Sequence, residues 1–395
     1  MNPVALPAYT MTSCLGAGLA ATRRALREGA TGLAPLRFET VALDTFAGEI
    51  QGVDAVEIPD HLASFDCRNN RAAEMGLAQD GFAGEVQRVV RRFGAARVGV
   101  FIGTSTAGIL HTELAYRHRD PADGSLPRDF DYRRTHNTFS PAEYVRERLG
   151  LKGPCAAIST ACSSSAKAFA SAARLMEAGV IDAAVVGGVD TLCLTTLYGF
   201  NSLELLSSEP CRPYDAQRSG ISIGEAAAFF LLERDAAAGA MQLLGTGESS
   251  DAHHMSSPHP DGMGARRAMQ AALDAAGLAP QAIDYVNLHG TGTQSNDSAE
   301  DRAVVALFGD GVPVNSTKGM TGHTLGAAGA VEAVLCALAI EEGTIPGSPG
   351  TRAIDPALRA RYEKAARPAK IRRVLSNSFG FGGSNCSLVL GRAAA

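Results

Sequence analysis

Short apolar runs alternate with polar, helix-forming segments along most of the chain. The run at 226–232, Ala-Ala-Ala-Phe-Phe-Leu-Leu, is uniformly apolar, which predicts a strand buried on both faces of a sheet. The run at 98–102 leads directly into the small-residue turn 103–108, a pattern typical of α/β proteins. Strands are predicted at 98–102, 153–158, 183–188, 226–232, 283–288, 374–377 and 384–390.

Two Ala-rich segments between these strands predict long helices. Residues 166–178 consist largely of good helix formers, and the segment stops at Gly179. The segment 325–342 repeats this plan and stops at Gly343. Because a strand follows or precedes each helix in the same order, the pattern predicts an α/β fold that has been duplicated.

The repeat extends to the residues that precede the two helices. Cys162 stands before the first helix and His323 before the second. We therefore expect an N-terminal half at 1–240 and a C-terminal half at 241–395, with both side chains at one shared cleft. The segment 111–148 is rich in charged residues, prolines and aromatics, and it predicts an insertion that covers the cleft or faces a partner.

Composition narrows the class of protein. The chain has 395 residues, of which 46% are hydrophobic and 19% charged, enough for one large core or two fused ones. A net charge of −5 argues against binding nucleic acid through bulk electrostatics. The N-terminal residues include no basic segment and no long apolar run follows, so neither an export signal nor a membrane span is expected.

The eight cysteines are scattered, with no Cys-x-x-Cys pair and no Cys/His cluster at metal-ligand spacing. We therefore expect reduced thiols, a cytoplasmic protein and no metal centre. Cys162 differs from the others because it lies where a predicted strand passes into a helix. The free N–H groups and the dipole of a helix start favour an anion, so this thiol is predicted to ionise near neutral pH and attack an acyl carbon. The alternative is a buried structural cysteine.

Three further stretches combine reactive side chains with small residues. His289 ends a strand in His-Gly-Thr-Gly-Thr, where open α/β sheets bind ligands. Lys318 and His323 precede the second Ala-rich helix, and the aromatic turn at 377–383 could offer free backbone N–H groups. The phosphate-loop and serine-hydrolase spacings are absent from these stretches. Taken singly, each is also compatible with a structural histidine, a surface lysine or an ordinary turn.

Together these stretches resemble the β-ketoacyl-acyl-carrier-protein synthases, which are condensing enzymes of the thiolase superfamily. Thr-Ala-Cys-Ser-Ser, His-Gly-Thr-Gly-Thr, Ser-Thr-Lys-Gly-Met-Thr-Gly-His and Asn-Ser-Phe-Gly-Phe-Gly-Gly occur in the family's order over nearly the whole chain. The resemblance implies a thiolase-like duplicated α/β fold with five layers, α-β-α-β-α. It also implies an elongating Cys-His-His site that needs no metal or redox cofactor.

The resemblance assigns the chemistry to a small set of residues. Cys162 would accept an acyl chain from a carrier protein, and malonyl-carrier protein would then lose CO2 and attack the thioester in a decarboxylative Claisen condensation. Neutral His289 and His323 would donate hydrogen bonds to the enolate. Lys318, with its charge compensated by Glu332, would tune the electrostatics of His289.

Substrate contacts follow from the same resemblance. The backbone N–H groups of Cys162 and Phe381 would hold the thioester oxygen, and Phe379 and Phe381 would form the gate of the acyl pocket. Thr291 and Thr293 match residues that bond the pantetheine arm.

The pathway is less closely defined by the motifs. Thr106 stands in the expected pocket wall, where housekeeping fatty-acid enzymes have an apolar residue or glycine. This favours unsaturated or functionalised chains. Thr-Ala-Cys-Ser-Ser-Ser is also similar to polyketide synthases and to stand-alone synthases of polyene pathways.

The resemblance also implies partners. Acyl-carrier proteins are acidic, and Arg68, Arg71 and Arg212 lie where the family has carrier-docking residues. A homodimer is expected, with the strand near 153–160 pairing across the two-fold axis, and a heterodimer with a related subunit is the alternative.

Two competing functions remain at this point. The chain could be a non-catalytic chain-length-type partner subunit, although its complete Cys-His-His set argues against this. A thiolase or an acyl hydrolase is a weaker competitor; thiolases use a second catalytic cysteine, and no other cysteine here lies in such a motif.

Overall fold

The computed structural model describes residues 1–235 and 239–392. Its helices are α1 Gly18–Glu28, α2 Arg68–Leu77, α3 Phe82–Phe93, α4 Ile109–Arg117, α5 Ser140–Leu149, α6 Ser164–Glu177, α7 Leu194–Ser202, α8 Met263–Ala276, α9 Gln294–Phe308, α10 Lys318–Thr321 and α11 Ala328–Glu342. Short 3-10 turns occupy Val53–Ala55, Asp60–Phe65, Ala95–Arg97, Pro280–Ala282, Leu325–Ala327 and Phe381–Gly383. Within these ranges, none of the helices combines the length and apolar character that a bilayer crossing requires.

The strands are β1 Val4–Ser13, β2 Gly16–Ala17, β3 Ala34–Pro35, β4 Phe46–Gly48, β5 Val98–Gly103, β6 Cys155–Ile158, β7 Ala183–Asp190, β8 Ile223–Gly224, β9 Ala226–Glu233, β10 Met241–Ser250, β11 Tyr285–Asn287, β12 Pro313–Asn315, β13 Thr344–Ile345, β14 Arg361–Tyr362, β15 Arg367–Pro368, β16 Arg373–Gly380 and β17 Ser384–Arg392. Each of the seven predicted strands corresponds to one of these elements. The prediction for 226–232 is confirmed, since β9 is buried along its whole length.

The duplicated plan is visible in the strand order. The N-terminal half orders its strands β6-β5-β7-β9-β1, and the C-terminal half orders them β12-β11-β16-β17-β10. In each series the first two pairings are parallel and the next two antiparallel. The series meet where β1 pairs briefly with β10, at Val4↔Leu243 and Ala5↔Gln242.

The helices complete five layers, as the resemblance implied. Helices α6 and α11 pack against each other and against strands of both series, so they form the middle layer. Helices α2, α3 and α5 cover the outer face of the N-terminal series, while α8 and α9 lie outside the C-terminal series. Helix α11 is buried from Ala328 to Ile340, which explains why its sequence shows no polar face.

The starts of the two Ala-rich helices differ from the sequence prediction. Helix α6 starts at Ser164, two residues earlier than expected, and α11 is preceded by the 3-10 turn Leu325–Ala327. The segment 111–148 is also not a simple insertion, because its last part forms α5, a buried helix that packs on α2, β5 and β6.

Candidate active site

Cys162 lies in a tight turn between β6 and α6. The hydroxyl of Ser163 donates to the carbonyl of Thr160 at 2.9 Å, and that of Ser164 donates to the carbonyl of Ala161 at 2.5 Å. Ala161 adopts a left-handed conformation with φ of 53°, which costs a non-glycine residue about 1–2 kcal/mol. This strained turn presents the sulfur to the cavity beside the helix start.

The sulfur is buried and faces hydrogen-bond donors. Nε2 of His323 lies 3.1 Å from Sγ, and the backbone N–H groups of Phe381 and Cys162 also face the sulfur. Burial nevertheless raises the pKa of the Cys162 thiol to about 11, against the lowering effect of the Lys318 ammonium. The predicted ionisation near neutral pH is therefore wrong for this buried thiol, because desolvation outweighs the favourable electrostatics.

His323 is positioned by the N-terminal half of the chain. Its backbone N–H donates to the carbonyl of Ser222 at 2.7 Å, and its carbonyl accepts from the N–H of Gly224 at 3.0 Å. The N–H of Leu325 donates to Nδ1 at 3.2 Å, so Nδ1 is the acceptor and the proton is assigned to Nε2. His323 thus presents an N–H donor toward the sulfur.

His289 follows β11 and is held mainly by its backbone. The N–H groups of His289 and Gly290 each donate to the carboxylate of Glu300 at 2.8 Å. Nζ of Lys318 lies 3.4 Å from Nδ1, which places the ring proton on Nε2 here as well. The rings of His289 and His323 meet edge to face, with centroids 5.3 Å apart.

Both histidines are neutral in this environment. Burial lowers the pKa of each imidazole well below its ordinary value, and the nearby ammonium of Lys318 lowers it further. Lys318 donates to the His289 carbonyl and to Glu332, as the resemblance predicted for its charge compensation. Burial raises the pKa of Glu332, while the Lys318 ammonium opposes that rise. The site therefore contains two neutral N–H donors beside a buried ion pair.

A cavity connects these groups with the surface. It has a volume of about 60 Å³, and its predicted members Thr291, Thr293, Phe379 and Phe381 all line it together with Cys162 and the two histidines. Sequence reasoning did not assign the remaining lining residues, about half of which lie in loops and half in helices, strands or the turn 381–383: Phe200, Leu205, Ile221, Asp251, Ser256, Ser257, Pro258, Ser295, Asn296, Gly380, Gly383 and Asn385. No residue of the described segment 111–148 lines the cavity, so this segment does not cover the cleft within the chain.

The turn that carries Phe381 approaches the nucleophile closely. A Cβ at Gly380 would lie 2.8 Å from the Thr160 carbonyl oxygen and 3.2 Å from the Cys162 nitrogen. Only glycine therefore fits here without a shift of the backbone. The close approach brings the N–H groups of Phe381 and Cys162 to the same side of the sulfur.

The predicted role of Thr106 is wrong. Its hydroxyl donates to the buried carboxylate of Asp190 at 2.7 Å, and Thr106 does not line the cavity. Asp190 also accepts from the N–H groups of Ser105, Thr106 and Ala327, which ties the turn after β5 to the turn before α11. The basis for preferring functionalised acyl chains is lost with this contact.

The arginines predicted to dock a carrier protein are engaged inside the chain. The side chain of Arg68 is 8% exposed and bonds the buried Glu225 at 2.7 and 2.9 Å. Arg212 is 8% exposed and pairs with Glu209 at 2.9 Å. Arg71 is more exposed, but Nε and Nη2 of its guanidinium group both donate to the carboxylate of Asp66. The docking prediction is therefore wrong for Arg68 and Arg212, whose charges are buried and compensated.

Two acidic residues that hold the backbone near His289 were not predicted from the sequence. Asp297 accepts from the N–H groups of Thr291 and Gly292 at 3.1 and 3.2 Å, and Glu300 holds the preceding residues. They stand three positions apart on α9, so they share one helix face. That spacing, directly after the His289 loop, was the available signal.

The thiol and the two imidazoles are also the described residues closest to a metal-ligand arrangement. Their donor atoms lie within 4.8 Å of one another. The ammonium of Lys318 lies 3.4 Å from Nδ1 of His289, so a positive charge already lies beside this cluster. This charge works against a metal centre.

Two known protein families match most of the chain. The family described as "Beta-ketoacyl synthase, N-terminal domain" matches residues 1–238, and "Beta-ketoacyl synthase, C-terminal domain" matches residues 240–352. A 3-oxoacyl-[acyl-carrier-protein] synthase 2 of Rhizobium meliloti is 37% identical over 81% of this chain and 79% of its own length. The enzyme of the same name from Coxiella burnetii is 34% identical over 98% of each chain.

The overall structure is similar to solved ketosynthases. A ketosynthase of Xenorhabdus doucetiae, determined in complex with its chain length factor, matches with a TM-score of 0.90 and 38% identity. The match covers 99% of this chain and 98% of that one. These likenesses extend to the whole fold rather than to isolated motifs.

Proposed function

Because the chain belongs to the β-ketoacyl synthase family, a family of condensing enzymes, we propose that it is an elongating 3-oxoacyl-[acyl-carrier-protein] synthase. Its proposed nucleophile is Cys162, and His289 and His323 are the proposed enolate donors. The observation that supports this most directly is the clustering of the three reactive atoms within 4.8 Å at the buried end of one cavity.

The first proposed half-reaction transfers an acyl group to Cys162. The sulfur attacks the carbonyl carbon of an acyl-carrier thioester, and the bond from that carbon to the pantetheine sulfur breaks. The proton of the Cys162 thiol ends on the departing pantetheine sulfur. The N–H groups of Cys162 and Phe381, which face the sulfur, are suited to bond the oxyanion formed in between.

The second half-reaction forms the carbon–carbon bond. Malonyl-carrier protein loses CO2, and the electron pair released creates an enolate whose oxygen accepts from Nε2 of His289 and His323. The enolate carbon attacks the acyl carbonyl on Cys162, and the thiolate that leaves takes up one proton. Neutral imidazoles suit this role because each can donate its Nε2 proton without first ionising.

The proposed substrates are those of fatty-acid or related polyketide and polyene elongation. The relatives from Rhizobium meliloti and Coxiella burnetii are both named 3-oxoacyl-[acyl-carrier-protein] synthase 2. The structural relative from Xenorhabdus doucetiae was solved with a chain length factor. Within this chain the complete cluster of Cys162, His289 and His323 argues against the alternative of a non-catalytic partner subunit.

The proposed assembly is a dimer, either of two copies or of this chain with a related subunit. Strand β6 ends its sheet in this chain and pairs on one side with β5. The eight cysteines, all within the described residues, are unpaired, as expected for the proposed cytoplasmic location. Division of the chain at residue 240 into two halves likewise stays a prediction.

Acyl loading and decarboxylation test this function separately. Incubation with an acyl-carrier protein is expected to add one acyl mass, located by mass spectrometry on the peptide that contains Cys162. Cys162→Ala should abolish loading. His289→Ala and His323→Ala should retain loading but lose malonyl decarboxylation by about 100- to 1000-fold, the usual effect of removing one oxyanion donor.

Other thiols provide the internal control. Cys155 and Cys193 lie outside the cavity lining, so Cys155→Ala and Cys193→Ala should load normally. Acylation of either residue in the wild type would contradict the assignment of the nucleophile. Decarboxylation at wild-type rates in both histidine variants would contradict the proposed donors.

A further inference from the structure

Three exposed arginines lie near the opening of the active-site cavity. Arg266 and Arg267 on α8 and Arg302 on α9 are exposed, and no carboxylate of the described residues lies within ion-pair distance of them. The exposed acid closest in sequence is Asp261, while Asp297 and Asp301 are buried. The chain carries a net charge of −5, so this cluster runs against the overall balance.

The packing of α8 on α9 places this cluster close to the cavity mouth. Arg302 donates to the carbonyl of Pro260 at 2.6 Å, two residues after Pro258, which lines the cavity. Ser295 also lines the cavity and stands seven residues before Arg302 on the same face of α9. Seven residues of helix span about 10 Å, well within the length of a pantetheine arm.

Arg266 of α8 lies on the side of that helix that faces α9. A Cβ at Gly262 would lie 2.2 Å from the Ala299 carbonyl oxygen, so the start of α8 lies directly against α9. Arg266 follows Gly262 by four residues, one turn further along the same side of the helix. The two guanidinium groups therefore border one continuous surface formed by α8, α9 and the loop 251–262.

Apolar side chains are exposed on this surface. Met255 is 77% exposed and Met263 is 37% exposed, which is unusual for large apolar residues. The carbonyl of Met255 accepts from the N–H of Gly382 at 2.7 Å, so this methionine lies next to the turn that carries Phe381. Exposed methionines and arginines are both enriched in surfaces that bind a partner.

We propose that Met255, Met263, Arg266 and Arg302 form the docking surface for the acidic carrier protein. This inference rests on the proposed function, which requires a carrier-bound thioester to reach Cys162. The charge of the cluster matches an acidic partner, and its distance from the mouth matches the reach of the arm. This surface replaces the predicted docking residues Arg68 and Arg212, whose charges are buried and paired.

The test reverses the two charges and compares carrier-bound with free substrates. The double variant Arg266→Glu/Arg302→Glu should raise the KM for a malonyl-loaded bacterial acyl-carrier protein by about tenfold or more, mainly through slower association. Its kcat should stay close to that of the wild type. Turnover of malonyl-pantetheine, which has no protein to dock, should be unchanged.

A matched control uses a distant arginine. Arg24 on α1 is exposed and unpaired among the described residues, and its neighbour Arg23 bonds Glu341 at the far end of α11. That end lies about 20 Å from the His323 end of the helix. Arg24→Glu should leave both KM values unchanged. An equal effect of Arg24→Glu and the double variant would overturn the proposed surface.

Measurements of salt dependence and of direct binding distinguish a failure of the docking surface from a failure of the proposed function. Added salt should weaken binding of arm-less apo-carrier protein to the wild type, and should do so less in the double variant. Failure of the free thioester to react would contradict the proposed function whatever the binding result. Unchanged binding of the apo-carrier protein by the double variant would overturn the docking surface even in an active enzyme.

Discussion

At the scale of single residues, the site depends on keeping two imidazoles neutral. His289 and His323 are both buried, and each has an acceptor role assigned to Nδ1 by a neighbouring donor. For His289 that donor is the ammonium of Lys318, which also disfavours a second positive charge nearby. The ammonium of Lys318 therefore positions the imidazole of His289, fixes its tautomer and lowers its pKa.

Removal of the buried ion pair should shift the pH dependence of decarboxylation. In Lys318→Met/Glu332→Gln no buried charge is left unpaired, and the cation that lowers the pKa of His289 is gone. The pKa of His289 should rise toward its ordinary value. Because the neutral form donates to the enolate, the acid limb of the pH profile should move to higher pH.

A single substitution distinguishes this electrostatic effect from a loss of packing. Glu332→Gln keeps Lys318 and removes only its compensating carboxylate, so its acid limb should not move to higher pH even if kcat falls. The measurement is malonyl decarboxylation against pH, with melting curves at each pH to exclude unfolding. An acid limb in the double variant that stays in place or moves lower would contradict the assigned role of Lys318.

The residues that the sequence could predict are those identified by a local motif. Cys162, His289, Lys318 and His323 each lie in a short, distinctive stretch, and the structure brings them together. The roles of Arg68 and Thr106 could not be predicted in this way. Their partners, Glu225 and Asp190, lie 157 and 84 residues further along the chain, and only the fold brings them into contact.

At the scale of elements, the middle layer sets the distance between the two halves of the site. Helix α6 starts beside Cys162 and α11 follows His323, and the two helices are in contact. A Cβ at Gly329 would lie 2.7 Å from the Ala166 nitrogen and 2.9 Å from Oγ of Ser378. The absence of a side chain at this position allows the close packing.

Gly329→Ala should therefore destabilise the fold. Overpacking of this kind costs about 1–3 kcal/mol, although alanine recovers up to about 1 kcal/mol of helix propensity. For a chain of 395 residues we expect a fall in Tm of about 1–3 °C, measured by calorimetry. Gly199→Ala is the control, since Gly199 is an exposed residue of α7 with open space around it. A higher Tm in Gly329→Ala would refute the close packing.

Elements differ in how well the sequence predicts them. Strands β5, β7 and β9 were predictable because they are apolar and buried on both faces. Strand β1 was not assigned, because its buried positions include Thr10, Thr12 and Ser13, which interrupt the apolar pattern. The two-residue strands carry no pattern at all, and their formation depends on tertiary pairing.

At the scale of the whole molecule, β6 leaves an apolar edge at one end of the N-terminal series. Its residues Cys155–Ile158 are half-buried and include no charge or proline, the usual protections of a free edge. Val100 donates to the carbonyl of Pro154, and Thr104 donates to that of Ile158. Since alternate residues bond the neighbouring strand, the backbone groups of Cys155 and Ala157 are directed outward.

This geometry provides a test of the proposed dimer. Ala157→Pro removes an outward N–H group and should leave the pairing of β6 with β5 in place. We expect the wild type to have twice the mass of the 41.0 kDa chain by light scattering, and the variant to shift toward the monomer. Ala157→Ser retains the N–H group and should remain dimeric, which separates the loss of the donor from the change of side chain. A dimer that persists in Ala157→Pro would contradict pairing through β6, and a monomeric wild type would contradict the homodimer and favour a related subunit as the partner at this edge.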